Sequence, residues 1–234
     1  MIHKVVAVMS GGPDSVSYAA LWKARSYEVH PLVFDYGQKG AKEISVAKRL
    51  SKELGFEAPV VVDISFMAKL WKGTQLTDKR MRVKDEYSPS VIVPLRNGVF
   101  LMVASAYAHT IGADRVIYGA HLNDVSPQRG TVEPLYPDCT PAFSGALEQA
   151  VALGHFSTVP RVEIWSPARE GLTKAALLKE GFEALGDRIY ETWSCYLSAK
   201  VHCGKCESCR NRMMAFEVAG LPDKTVYAVK RGAR

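Results

Sequence analysis

Two groups of residues in this sequence have the types and spacing to do chemistry. Cys195, Cys203, Cys206 and Cys209 follow the pattern C-x7-C-x2-C-x2-C. A C-x2-C spacing lets the backbone loop around one ion, and four thiolates suit tetrahedral zinc. Such a set leaves no coordination position open, so the expected Zn²⁺ is structural. An iron–sulfur cluster is the alternative for the same spacing. With five cysteines in the chain, an odd number, a disulfide framework is not expected. The second group is Ser10-Gly11-Gly12-Pro13-Asp14-Ser15, directly after the apolar run Val5 to Met9. Two adjacent glycines let the backbone turn sharply and approach an anion closely. The N–H groups of the helix expected after them add donors and a favourable dipole. Ser10 and Ser15 bring hydroxyls to the same place. Asp14 is the odd member of an anion site and makes sense if it holds Mg²⁺ or caps the helix. The Walker pattern GxxxxGK[ST] does not occur.

Further candidates are scattered along the chain. Arg96 and Asn97 stand at the mouth of an apolar helix, where a phosphate or carboxylate would be attracted. The stretch His121 to Thr140 has no periodic pattern and carries Asp124, Arg129, Tyr136, Asp138 and Cys139. A loop of that length inside a compact domain is usually functional or mobile. Cys139 stands alone and reads either as an inert buried thiol or as a nucleophile or pocket residue. Lys174 opens a helix from which it reaches a phosphate, unless it is an ordinary exposed lysine.

The elements that must hold these residues alternate. Val5 to Met9 reads as a buried strand and Ser15 to about Ala24 as a helix. A strand from Val29 to Phe34 runs into Asp35-Tyr36-Gly37-Gln38. Ala41 to Leu54 is an amphipathic helix with Ile44, Ala47, Leu50 and Leu54 on one stripe, and Pro59 to Ile64 is a third strand. The spacing then predicts an apolar, buried helix from about Gly98 to Ile111 and a strand over Asp114 to Ala120. A helix over Pro141 to Leu153, a strand over Arg161 to Trp165 and a helix opening at Thr173-Lys174 follow. Strand–helix alternation is the signature of an α/β parallel sheet, Rossmann-like in layout. The lysines and arginines between residues 65 and 95 read as a solvated loop with a short helix, or as a flap over a nucleotide. The expected division is an α/β domain over 1–188 and a zinc-binding segment, poor in regular structure, over 189–234.

Of 234 residues, 47% are hydrophobic, enough for a full core. A net charge of +6 favours anionic ligands without choosing between nucleotides and RNA. No signal peptide is read, because the first apolar run leads straight into the loop motif, and Val99 to Ile111 is too short to span a bilayer. A cytoplasmic protein without membrane contact is expected.

SGGPDS resembles the pyrophosphate loop of the PP-loop ATP pyrophosphatases, which transfer AMP from ATP to a substrate oxygen. With it occur, in order, FDYGQ at Phe34 to Gln38, VPLRN at Val93 to Asn97, YPDC at Tyr136 to Cys139, TWSCY at Thr192 to Tyr196, and CGKCESCRNR at Cys203 to Arg212. This set resembles the QueC family of 7-cyano-7-deazaguanine synthases over nearly the whole chain. The resemblance implies ATP-dependent conversion of 7-carboxy-7-deazaguanine and free ammonia into the nitrile, through adenylated acid and amide, in queuosine and archaeosine biosynthesis. It implies an ATP site at Met9, Ser10, Gly11, Gly12, Asp14, Ser15, Val33, Phe34, Tyr36 and Gly119, with Asp14 holding Mg²⁺. Gln38, Asn97, Asp124, Tyr136, Asp138 and Cys139 would meet the substrate, and Asp14, Arg96, Asp138 and Lys174 would serve the chemistry. A homodimer is implied as well, while the charge balance by itself gives little expectation of direct nucleic-acid binding. The sequence departs from the family at Gly40, where histidine is usual, at Thr140, where arginine is usual, and in a longer segment between Asp124 and Tyr136. These departures keep open a QueC-like enzyme adenylating a related deazapurine for attachment to a macromolecule. Another PP-loop tRNA-modifying enzyme, or a non-enzymatic zinc module binding nucleic acid, are the remaining readings.

Overall fold

Every strand of the sheet runs parallel to its neighbours, and the order is what creates a crevice. The computed structural model describes residues 3–128, 130–156 and 160–229; Arg129 of the long loop lies outside them. The first half contains β1 (Lys4–Val8), α1 (Pro13–Ala24), β2 (Glu28–Asp35), α2 (Lys42–Glu53), β3 (Val60–Asp63) and α3 (Arg96–Ile111). The second contains β4 (Arg115–Ile117), α4 (Leu122–Val125), α5 (Pro141–Leu153), β5 (Glu163–Trp165), α6 (Lys174–Leu185) and α7 (Glu207–Val218). The five strands lie in the order β3-β2-β1-β4-β5. The chain winds outward from β1 in both directions, so the connections after β1 and β4 diverge to opposite faces. Ligands of open α/β sheets sit at the carboxyl ends of the strands at such a switch point.

β1 shows how the sequence builds both faces. Val5 and Ala7 face a core formed with α1, α2, α6 and α7, while Val6 faces a second core with α3. That is the period of two expected of a strand buried on both sides. Val6 pairs with His30 on one side and Val116 on the other.

Several expectations change in detail. α1 begins at Pro13 rather than Ser15, because proline's missing N–H costs nothing in a first turn. α3 begins at Arg96, after Leu95 adopts a left-handed φ of +52°. It is also not buried all round: Phe100, Leu101, Ala104, Ser105 and Ala108 pack inward, while Met102 is exposed. The 23-residue helical stretch Pro89–Ile111 is long and apolar enough to cross a bilayer by length and composition. Its inward face belongs instead to the second core, beside β1 and β4. β4 stops at Ile117, three residues short of expectation. The segment from His121 to Thr140 contains α4, a bridge between Pro127 and Pro134, and a 3₁₀ turn over Pro137–Cys139. The C-terminal segment is richer in structure than expected, since α7 begins within the cysteine cluster. Arg212 of α7 is fully buried and donates to Thr192 Oγ1 (2.9 Å), Thr225 Oγ1 (2.9 Å) and the Ile189 carbonyl (3.2 Å). Ile189, Trp193, Cys195 and Phe216 thereby share one core with Val5 and Met9.

Candidate active site

A cavity of about 1100 Å³ opens at the carboxyl ends of β1 and β4. Its wall includes Met9, Ser10, Gly12, Asp14, Ser15, Val33, Phe34, Tyr36 and Gly119 of the expected ATP set. It also includes Gln38, Arg96, Asn97, Asp124, Tyr136, Asp138, Cys139 and Lys174. Gly11 is the exception. A Cβ there would lie 2.5 Å from the Glu43 carbonyl oxygen and 2.9 Å from Ala47 N, so Gly11 backs onto α2 rather than into the cavity. With its φ of +77°, it is the residue that lets the loop turn flat against that helix.

At one end the loop holds itself by local hydrogen bonds. Ser15 Oγ accepts from Ser10 N and lies 3.2 Å from Ser10 Oγ, and Gly12 N donates to Ser10 Oγ at 3.3 Å. No side chain caps α1 at Gly12, which leaves first-turn amides for an anion. Gly119, just beyond β4, comes so close that a Cβ would sit 2.9 Å from Ser15 N. Asp14 Oδ2 accepts from Lys174 Nζ at 2.7 Å, across 160 residues of chain. Its other oxygen, Oδ1, is buried without a hydrogen-bond partner among the described residues. Burial alone would raise this carboxyl, but Lys174 and then His121 hold it below its ordinary value. Lys174 is placed by Thr173, whose side chain accepts from Ala176 N, and by Asn123, whose Oδ1 accepts from Lys174 N at 2.8 Å.

His121 was not among the residues expected here. It is 5% exposed, with Nε2 4.0 Å from Asp14 Oδ2 and Nδ1 3.2 Å from Asp124 Oδ2, the latter off the line of a hydrogen bond. Burial lowers its basicity, as it raises the carboxyl of Asp124. The signal for it was its place one residue after the end of the strand-like run Val116 to Ala120.

The other end is built of side chains from distant segments. The left-handed Leu95, at a cost of about 1–2 kcal/mol, swings Arg96 over the rings of Tyr36 (5.7 Å) and Phe100 (5.9 Å). Arg96 Nε is buried and has no hydrogen-bond partner among the described residues. Asp138 Oδ2 accepts from Asn97 N at 3.1 Å, which gives α3 a carboxylate at its positive end. Asn97 Nδ2 meets Cys139 Sγ at 3.3 Å. Burial, with Asp124 and Asp138 nearby, raises the Cys139 thiol well above its ordinary value, which argues against the nucleophile reading. Glu43 and Glu207, neither of them expected, complete this end; Tyr196 donates to Glu207 Oε2 at 3.2 Å.

Beneath the cavity, the ligand atoms of Cys195, Cys203, Cys206 and Cys209 lie within 4.8 Å of one another. Backbone amides of Leu197 and Cys203 point at Cys195 Sγ, and those of Lys205 and Cys206 at Cys203 Sγ. Such N–H donors favour thiolates, so the set fits a soft tetrahedral cation. The cluster also braces the loop: Trp193 N donates to the Gly11 carbonyl at 2.8 Å, and Lys42 Nζ rests 3.7 Å from the Trp193 ring centroid.

Comparison with known proteins places this geometry. Residues 4–220 match the family described as QueC, queuosine biosynthesis protein QueC. A protein of Psychromonas ingrahamii named 7-cyano-7-deazaguanine synthase is 38% identical, over 97% of this chain and 99% of its own. One of the same name from Thermoplasma acidophilum is 34% identical, over 96% and 92%. Among solved structures, an NMN synthetase from Francisella tularensis aligns with a TM-score of 0.46 at 15% identity, covering 97% of this chain and 79% of that one, too loosely to bear on function.

Proposed function

The chain belongs to the QueC family, and from that premise we propose that it converts 7-carboxy-7-deazaguanine and ammonia to 7-cyano-7-deazaguanine at the expense of two ATP molecules. The observation that carries this reading is a single cavity wall holding both the SGGPDS loop and Asp138-Cys139 of YPDC, which brings an anion-binding turn to a pocket of aromatic and carboxylate side chains.

A carboxylate resists attack because its leaving group would be oxide. Transfer of AMP to it creates a mixed anhydride whose leaving group is a phosphate ester. The loop amides, Ser10 and Ser15 grip the β- and γ-phosphates, and Lys174 offsets charge as pyrophosphate departs. Arg96, with its free Nε, meets the substrate carboxylate or the α-phosphate. Ammonia then displaces AMP to give the amide. A second adenylation on the amide oxygen, with loss of both N–H protons and AMP, leaves the nitrile. Asp14 fits Mg²⁺ through its unpartnered Oδ1. When bound, the ion neutralises phosphate charge. The four thiolates would hold Zn²⁺ as a structural ion. Asp124, Tyr136 and Glu207 line the pocket where the guanine-like edge binds. A dimeric, cytoplasmic enzyme acting on small molecules, without direct nucleic-acid contact, completes the proposal, as does the division into an α/β part over 1–188 and a zinc-binding part over 189–234.

The test is one reaction mixture of protein, ATP, Mg²⁺, ammonium and 7-carboxy-7-deazaguanine, followed by mass spectrometry. The reading requires the nitrile, with AMP and pyrophosphate released in step. An amide or a protein adduct in its place would move the assignment to another adenylating enzyme of the same superfamily.

A further inference from the structure

Glu43 lies in the first turn of α2 and lines the cavity next to the loop, whose Gly11 packs on its carbonyl. Its side chain is fixed by a residue whose two amide N–H donors are both engaged. Gln38 is buried; its Oε1 accepts from Tyr36 N (2.9 Å), and its Nε2 donates to the Phe34 carbonyl (3.0 Å) and to Glu43 Oε1 (3.1 Å). Gln38, expected to touch substrate and part of the cavity wall, also orients a carboxylate. Glu43 Oε2 has no hydrogen-bond partner among the described residues. The groups facing it are Arg96 from α3 and Tyr36 from the end of β2. Burial pushes the Glu43 carboxyl up to about 7, although Arg96 and Gln38 both draw it down. A carboxyl that titrates near neutrality both takes and releases protons under physiological conditions.

The proposed reaction needs such a group. Ammonia at neutral pH exists in water as ammonium, which has no lone pair to attack with. An anionic oxygen in the cavity wall attracts the cation and can take the proton that masks its nucleophilic pair.

We infer that Glu43, held by Gln38, captures ammonium and accepts its proton in the amide-forming step. This rests on the reading given above. The carboxylate and NH₄⁺ become carboxylic acid and NH₃. The nitrogen lone pair then forms the C–N bond at the acyl carbon, and the C–O bond to AMP breaks with its electron pair leaving on the phosphate oxygen. The surplus proton on nitrogen passes to water, and the Glu43 acid returns its proton to solvent. Nothing is oxidised or reduced. Arg96, attracted to the substrate carboxylate, would place the acyl carbon on the Glu43 side of the cavity.

The experiment uses the full-length, metal-loaded protein and separates the two half-reactions. Acid-dependent exchange of labelled pyrophosphate into ATP reads adenylation without any nitrogen nucleophile. Amide formation is then measured with ammonium and, separately, with hydroxylamine, which is already unprotonated at neutral pH. In Glu43→Gln, exchange is expected to stay within about threefold of the parent, and ammonium-dependent product to fall by about 10²–10⁴-fold. Hydroxylamine-dependent product should stay within about threefold. Glu43→Asp, a smaller perturbation should Glu43→Gln fold poorly, is expected to show a weaker loss with the same selectivity. Equal losses with both nucleophiles, a parallel loss of exchange, or an unchanged ammonium rate overturns the inference. Absence of acid-dependent exchange in the parent protein removes the underlying reading itself, and so is told apart from failure of the Glu43 role.

Discussion

Asp14 and Glu43 are two carboxylates of one cavity, and their surroundings drive them in opposite directions. Asp14 is paired with Lys174 at 2.7 Å and held below its ordinary value. Among the described residues Glu43 has only a neutral amide as a direct partner, and burial carries it up to about 7. The first suits a permanent charge that meets a cation; the second suits proton transfer. Environments that push like groups apart are how a single site assigns separate roles. The ends also differ in construction. The phosphate end is centred on a run of consecutive residues bonded to one another, to which Gly119 and Lys174 are added from later segments, whereas the aromatic end draws on β2, α2, α3 and the segment before α5.

The largest effect is expected where both ends share support. Cys206→Ser removes one of four thiolates beneath the Trp193–Gly11 bond. Structural zinc contributes on the order of 10 kcal/mol in small metal-dependent folds. Metal content by plasma mass spectrometry should drop to near zero and the melting temperature by more than about 10 °C. An unchanged melting curve would mean that the cluster braces nothing.

Asp14→Ala tests the permanent charge. Turnover is expected to fall by about 10²–10³-fold or more while the melting temperature changes little. Activity close to that of the parent would dissolve the contrast between the two carboxylates.

A steric probe sharpens the phosphate end. Gly119→Ala places a Cβ about where Ser15 N requires space, at 2.9 Å from a backbone atom that has no rotamer to escape by. A cost of about 1–3 kcal/mol and weaker ATP binding by calorimetry are expected. Unaltered affinity would show that α1 can shift without harm.

The smallest effect concerns stability and reverses the usual sign. A carboxyl raised from 4.5 to about 7 binds its proton more tightly folded than unfolded. Glu43 therefore favours the folded state below pH 4.5 and costs stability progressively as pH rises toward 7. Glu43→Gln, whose amide oxygen can still accept from Gln38, should be more stable than the parent above pH 7 by about 1–2 kcal/mol, and equal to it at pH 4. Denaturant titrations at the two pH values check this; a gain independent of pH would assign it to packing instead.

What could be read beforehand follows the same division between contiguous and dispersed residues. SGGPDS, the C-x2-C-x2-C run and the strand–helix alternation are patterns within a few turns of chain, and each depends on backbone geometry that local residue types dictate. The helix limits at Pro13 and Arg96 were missed by two residues, because proline is welcome in a first turn and Leu95 takes a conformation rarely adopted by leucine. α7 escaped because it begins at Glu207, directly after Cys206 of the metal cluster, where ligand spacing obscures helical periodicity.

From residues alone came the parallel sheet, the anion-binding turn and the four thiols, since local sterics and spacing suffice to specify them. Only the folded chain decided that Gly11 serves α2, that His121 and Glu207 reach the cavity, and that Gln38 is spent on Glu43. The reason is physical: what a buried polar group does depends on which partners desolvation leaves it, and those arrive from segments the sequence does not place side by side.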